Sequence, residues 1–271
     1  MTTLTPSPAL RTVMATRYVT PLREGGSLPA IVEADDDGTY VLKFRGAGQG
    51  EKALIAELLA GEIGRALGLP VPEMVLVALD PDLARTERDP EIQALIRASG
   101  GLNLALDYLP GALGFDALDR SLVDAALASA VVWFDAYASN VDRTARNPNM
   151  LFWKKRLWLI DHGAAFYFHH TWERRLAYAQ SPFPQVREHV LLPVASRLAE
   201  ADGDLRAKLS VAWLQSLVAL IPDAWLDNGR ERLHDAGPAE QRRGYLEYLS
   251  ARLDAAPIFV AEALHARTQL L

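Results

Sequence analysis

Between Asn140 and Phe166 the sequence NVDRTARNPNMLFWKKRLWLIDHGAAF sets Asp142, Asn147 and Asn149 just before one apolar run and Asp161 just after a second. Carboxylate and amide oxygens are what a hard divalent cation such as Mg²⁺ takes, with waters and substrate phosphates completing its shell. If Met150-Leu-Phe-Trp153 and Arg156-Leu-Trp-Leu-Ile160 pair as a hairpin turning at Lys154-Lys155, its two ends are adjacent. Oxygen donors far apart in the chain then meet. The local alternative is that Asx residues and glycine sit here for turn chemistry alone; their arrangement on both sides of one hydrophobic strand pair favours a site.

Other groups with chemical potential are scattered. Lys43 lies inside Tyr40-Val-Leu-Lys-Phe44, with apolar neighbours on each side. A lysine there is either an edge-strand charge that discourages aggregation or a covered cation that needs an acidic partner. Gly25-Gly26-Ser27 stands between two strand-like pieces, where backbone N–H groups could approach phosphate oxygens or simply connect a hairpin. His169-His170 suggests a transition-metal pair, but adjacent strand residues point to opposite faces and the helical spacing of a zinc motif is absent. Asp135, on the same helix as Trp133 and Phe134, is placed to cap or brace the loop that follows.

The elements that must position these groups follow from periodicity and turn residues. Pro29–Glu33 and Thr39–Phe44 read as strands of a hairpin around Asp35-Asp-Asp-Gly38. From Glu51 to Leu67 the apolar residues Ile55, Leu58, Leu59, Ile63, Ala66 and Leu67 recur at helical spacing, and Gly68-Leu-Pro70 stops the helix. Met74–Leu79 and Leu102–Tyr108 read as strands, separated by a polar stretch with room for a short helix. Beyond Pro110-Gly111 the pattern is mostly helical, beginning with Leu122–Tyr137 and continuing through Leu214–Trp225 and Tyr245–Leu253, whose Trp, Tyr and Leu stripes read as packing. The division expected is residues 1–109, β-rich, and residues 110–271, helical.

At 271 residues, half of them apolar, the chain can build a large domain or two lobes sharing a cleft. A net charge of -6 argues against a general nucleic-acid or membrane-surface binder. The absence of cysteine removes disulfides and thiolate metal sites and fits a reducing compartment. No segment offers about 18 uninterrupted apolar residues, and the N-terminus lacks a secretory pattern. A soluble cytoplasmic protein is expected.

Five pieces in order resemble the HipA-like kinases of the protein-kinase and phosphatidylinositol-kinase-like fold: Tyr40–Phe44, Leu67-Gly-Leu-Pro-Val-Pro72, Asp107-Tyr-Leu-Pro-Gly111, Asn140-Val-Asp-Arg143 with Asn147-Pro-Asn149, and Ile160-Asp-His-Gly163. Together they span roughly residues 17 to 170. The resemblance implies an α+β, two-lobed protein-kinase-like fold with a small β-rich N-lobe and a larger, mostly helical C-lobe. It also implies phosphoryl transfer from ATP with Mg²⁺, in which the protein positions phosphates and neutralises charge.

Residue by residue, the resemblance implies that Lys43 reaches the ATP phosphates, with Glu57 as its partner by spacing back from Gly68. On a helical wheel Glu62 lies in the apolar stripe and Glu57 nearly opposite it, so Glu62 stands as the rival. Gly25, Gly26 and Ser27 take the phosphate-loop position, and the backbone of Asp107, Tyr108 and Leu109 the adenine hinge. Asp142 resembles the catalytic-loop aspartate and Asp161 the metal-binding aspartate, while Arg143 either braces the loop or contacts phosphate, or forms a purely structural ion pair. His162 stands where protein kinases have Phe and is expected to hold the loop. The metal-binding amide is Asn147 by spacing from Asp142 or Asn149 by its position directly before the strand, and Asn149 is preferred.

The acceptor implied is a protein serine or threonine hydroxyl. Alternatives are a small-molecule or lipid kinase, a nucleotide-binding pseudokinase-like module, or a metal-dependent hydrolase. Retention of Lys43, Asp142 and Asp161 speaks against the pseudokinase, and the missing spaced-histidine motif against the hydrolase. Any antitoxin-like partner and the oligomeric state lie beyond the sequence.

Overall fold

The computed structural model describes residues 8–22, 28–48, 50–226 and 237–270. Three antiparallel strands open the fold: β1 (Thr12–Pro21), β2 (Ala30–Ala34) and β3 (Thr39–Lys43). Asp37 turns the β2–β3 hairpin with φ 61°, and the Asp36 carboxylate accepts the Gly38 N–H at 3.1 Å. The helix α1 (Glu51–Leu67) follows, then β4 (Met74–Leu79), a 3₁₀ turn at Pro81–Thr86, α2 (Pro90–Ala98) and β5 (Gly101–Asp107). The strand β4 runs parallel to β1 and antiparallel to β5, and β5 pairs with β3. The result is a closed barrel in the order β1-β2-β3-β5-β4, which leaves no open sheet edge.

The helix α1 stops where its sequence demands it. Gly68 takes φ 85°, and its N–H and that of Leu69 donate to Arg65 O (3.0 Å) and Gly64 O (2.9 Å), a left-handed glycine cap. A side chain on Gly64 would meet Val71 Cγ2 at 2.9 Å, so glycine here lets the helix approach the segment that leads into β4.

After β5 come β6 (Leu113–Gly114), a 3₁₀ turn, α3 (Ala125–Ala138), and the hairpin β7 (Met150–Trp153) and β8 (Arg156–Leu159). The helix expected from Leu122 begins instead at Ala125, because the Asp124 carboxylate caps it by accepting from Ala126 and Leu127 N–H. The short strand β6, which the helical reading of this region lacks, pairs with β7 through Leu113↔Phe152. The remainder is helical: α4 (Arg175–Ala179), α5 (Leu198–Arg206), α6 (Val211–Val218), α7 (Asp223–Leu226), α8 (Pro238–Asp254) and α9 (Ala256–Thr268). The single helix read over Leu214–Trp225 is two, interrupted before Asp223 by Pro222, which cannot supply a helical N–H.

Two cores result. One fills the barrel, with Val32, Leu42, Val75, Val77 and Ala105 fully buried. The larger runs from α1 through α3 into the C-terminal helices. Among the described residues no helix is long and apolar enough to cross a membrane.

Candidate active site

Lys43 ends β3 and reaches α1 and the segment after β8 at once. Its Nζ lies 2.8 Å from Asp161 Oδ1 and 3.8 Å from Glu57 Oε2. Burial alone would lower the ammonium, but Glu57 and then Asp161 outweigh it and raise its pKa. Burial would raise the Glu57 carboxyl, and Lys43 and His162 reverse that and hold it below its ordinary range. His162 gives Glu57 its backbone N–H at 2.9 Å, with Nδ1 at 3.3 Å. Glu62 is directed elsewhere, 3.2 Å from Arg65. The apolar stripe that holds Glu62 does not mark a single inward face, because α1 is buried on nearly all sides from Leu54 to Gly64.

The β7–β8 hairpin turns at Lys154-Lys155, with φ 48° and 62°, the primed turn geometry that suits strand twist. At its open end Ile160 N–H donates to Asn149 O at 3.1 Å. Asn149 (φ 48°) and Asp161 (φ 55°) both take the left-handed conformation, which Asn and Asp tolerate better than most residues. Asp142 Oδ2 accepts from Asn147 Nδ2 at 2.8 Å and Asn149 Nδ2 at 3.2 Å, and Asn149 Nδ2 is 3.5 Å from the Asp161 carbonyl oxygen. The oxygen-bearing residues on either side of the hairpin therefore meet.

These groups line a cleft of about 740 Å³ that also contains Asp107, Tyr108, Leu109 and Phe115. Two of the three hinge amides are already engaged: Asp107 N–H donates to Glu73 O at 2.9 Å and Tyr108 N–H to Thr39 O at 3.0 Å. Gly25, Gly26 and Ser27 lie outside the described residues. A second cavity of about 280 Å³ adjoins Lys43, Glu57 and Asp161 on the side of Ala47 and Gly48. Its signal in the sequence is the alternating Gly46-Ala-Gly-Gln-Gly50 between β3 and α1.

The loop carrying Asp142 rests on Asp135, fully buried on α3. Asp135 accepts from Asn140 Nδ2 (2.8 Å), Arg143 Nε (2.6 Å) and His189 Nε2 (2.9 Å). Burial would raise this carboxyl; the Arg143 guanidinium and the His189 bond outweigh it and hold it well below the usual carboxylate range. Arg143 Nη1 also donates to Asn149 O. Arg143, 1% exposed, is thus a buried brace tying α3 to the loop and to the start of β7. His169 is directed to Tyr245, with Nδ1 3.3 Å from the hydroxyl, and among the described residues no group of three or more His, Asp or Glu could hold a metal ion together.

The family described as HipA-like kinase matches residues 16–242. Among solved structures, the chain is similar to the Helicobacter pylori proinflammatory kinase CtkA, with a TM-score of 0.58 and 12% identity over 94% of this chain and 99% of that one. It is also similar to a Golgi casein kinase with Mn/ADP bound, with a TM-score of 0.48 and 10% identity over 97% of this chain and 75% of that one. No curated protein matches the sequence. At such identities the likeness to CtkA bears on the fold, which is that of a kinase.

Proposed function

The chain belongs to the HipA-like kinase family, and from that premise we propose that it transfers the terminal phosphoryl group of ATP to a hydroxyl, with protein serine or threonine as acceptor. The observation that carries the proposal is the convergence in one cleft of a carboxylate-paired lysine, Lys43, with Asp142 and Asp161. Phosphoryl transfer needs positioning and charge neutralisation more than covalent chemistry, and these three side chains divide that work.

Lys43, oriented by Glu57, binds phosphate oxygens. Asp142 orients the acceptor hydroxyl and takes its proton, and its hydrogen bonds to Asn147 and Asn149 fix the carboxylate for that task. The Leu109 amide, next to the two engaged hinge amides, is the donor for the adenine edge. We place the division between the nucleotide-binding and catalytic parts at residues 109 and 110. The donor set fits Mg²⁺: Asp161 is 41% exposed and Lys43 engages one of its two oxygens, and an asparagine carbonyl supplies a second hard oxygen. Bound there, Mg²⁺ would neutralise phosphate charge. Asp161 and Asn149 would hold it, with Asn147 as the rival amide.

Incubation with ATP labelled on its terminal phosphate, Mg²⁺ and cell extract tests the reading. Label should appear on protein as phosphoserine or phosphothreonine and be absent with Asp161→Asn. Label confined to lipid or small molecules would overturn the acceptor assignment.

A further inference from the structure

We infer that His189 is a positioning residue for Asp142, acting through Asp135 and Arg143, an inference that rests on the phosphotransfer reading of the cleft. His189 lies on the segment after the 3₁₀ turn Pro184–Glu188 and is 6% exposed. It touches neither Lys43 nor Asp161. Its Nδ1 accepts the Leu191 N–H at 3.1 Å, so the ring proton sits on Nε2, which donates to Asp135 Oδ2 at 2.9 Å. The tautomer is fixed by the backbone two residues on.

The same segment grips the loop from outside. Thr144 and His189 form an isolated antiparallel bridge, and Val190 N–H donates to Arg143 O at 3.1 Å. The loop is therefore clamped between α3 and residues 189–190, with Asp135 at the centre. A buried carboxylate that loses one donor keeps its desolvation cost and pulls harder on those left. Arg143 is the remaining charged donor, and it also holds Asn149 O. Any shift of Arg143 is passed to Asn149 and hence to the carboxylate of Asp142, which Asn149 orients. Displacing a catalytic group by about 1 Å costs on the order of 10²-fold in rate. Glu57 and Lys43 stand outside this chain of contacts, so the lysine that meets the phosphates is spared, and any effect passed through Asn149 on metal is removed by working at saturating Mg²⁺.

Three substitutions separate the two ring nitrogens. His189→Gln places an amide N–H where Nε2 stands and restores the donor to Asp135. His189→Asn places a carbonyl oxygen where Nδ1 stands, restoring only the acceptor for Leu191. His189→Phe removes both. At saturating Mg²⁺, Asn and Phe should lower kcat about tenfold or more with KM for ATP little changed, and Gln should recover most of kcat. Hydrogen exchange of the amides of residues 140–149, read on the same proteins whether or not they turn over, should rise in Asn and Phe and return toward wild type in Gln. Equal exchange in all three variants, or a kcat that follows thermal stability regardless of which nitrogen is replaced, would overturn the assignment. A wild-type protein that transfers no phosphate defeats the kinase reading, and the exchange ranking still decides the clamp.

Discussion

The amide side chain of Asn149 reaches both Asp142 and the Asp161 carbonyl, whereas that of Asn147 reaches Asp142 alone. Asn147 instead holds the turn through its backbone, exchanging hydrogen bonds with Thr144: its N–H meets Thr144 Oγ1 at 3.2 Å and its carbonyl accepts Thr144 N–H at 3.1 Å. This difference favours Asn149 as the metal-binding amide. Asn149→Ala should raise the Mg²⁺ concentration needed for half-maximal activity by roughly 10-fold or more, and Asn147→Ala should lower thermal stability with little Mg²⁺ effect. Titrating activity against Mg²⁺ in both variants checks this, and the reverse ranking would move the ligand to Asn147. Both asparagines are legible as candidates in the sequence. The place of Asn149 directly before the strand already favours it there, but the left-handed backbone at Asn149 and Asp161 is announced by no residue pattern.

At the scale of elements, the β7–β8 hairpin combines an open end that lines the cleft with a strained tip. Lys154 and Lys155 hold positive φ without being Gly or Asn, a conformation that costs about 1 kcal/mol or more per residue. The Lys154 ammonium, 4.1 Å from the Trp153 ring centroid, recovers part of this. Replacing the pair by Asn-Gly should therefore raise stability by about 1 kcal/mol, seen as a higher urea midpoint with unchanged slope; a lower midpoint would contradict the turn assignment. This hairpin was readable from its apolar runs, as were α1 from its spacing and the Gly68 stop. The direction of Glu57 was not, since α1 is enclosed by the barrel on one side and by residues such as Phe134 on the other. Nor was the Asp135–His189 pair, whose members come together only when the segment after α4 folds back on α3.

For the molecule as a whole, the C-terminal helices are the floor beneath α3 and the loop that carries Asp142. Hydrogen bonds seat α3 and its C-cap on them: Trp133 Nε1 donates to Asp202 at 2.8 Å, Tyr137 Oη donates to Leu249 O at 3.0 Å, Arg252 Nη2 donates to Ala136 O at 2.8 Å, and Ser139 meets Tyr248 Oη at 2.9 Å. Amphipathic stripes mark those helices as packing in the sequence, but which stripe meets which is set by contacts across more than half the helical region. The barrel and α1 supply Lys43 and Glu57, the hairpin and its flanks supply Asp142, Asn149 and Asp161, and the cleft between them is where the chemistry is proposed. Asp142 is there proposed to act on the acceptor and not on the nucleotide. The most direct measurement is calorimetric ATP·Mg²⁺ affinity alongside phosphoryl-transfer rate for Asp142→Ala and wild type. Affinity nearly unchanged with the rate lowered by about 10²-fold or more is the result predicted, and equal losses in affinity and rate would contradict it.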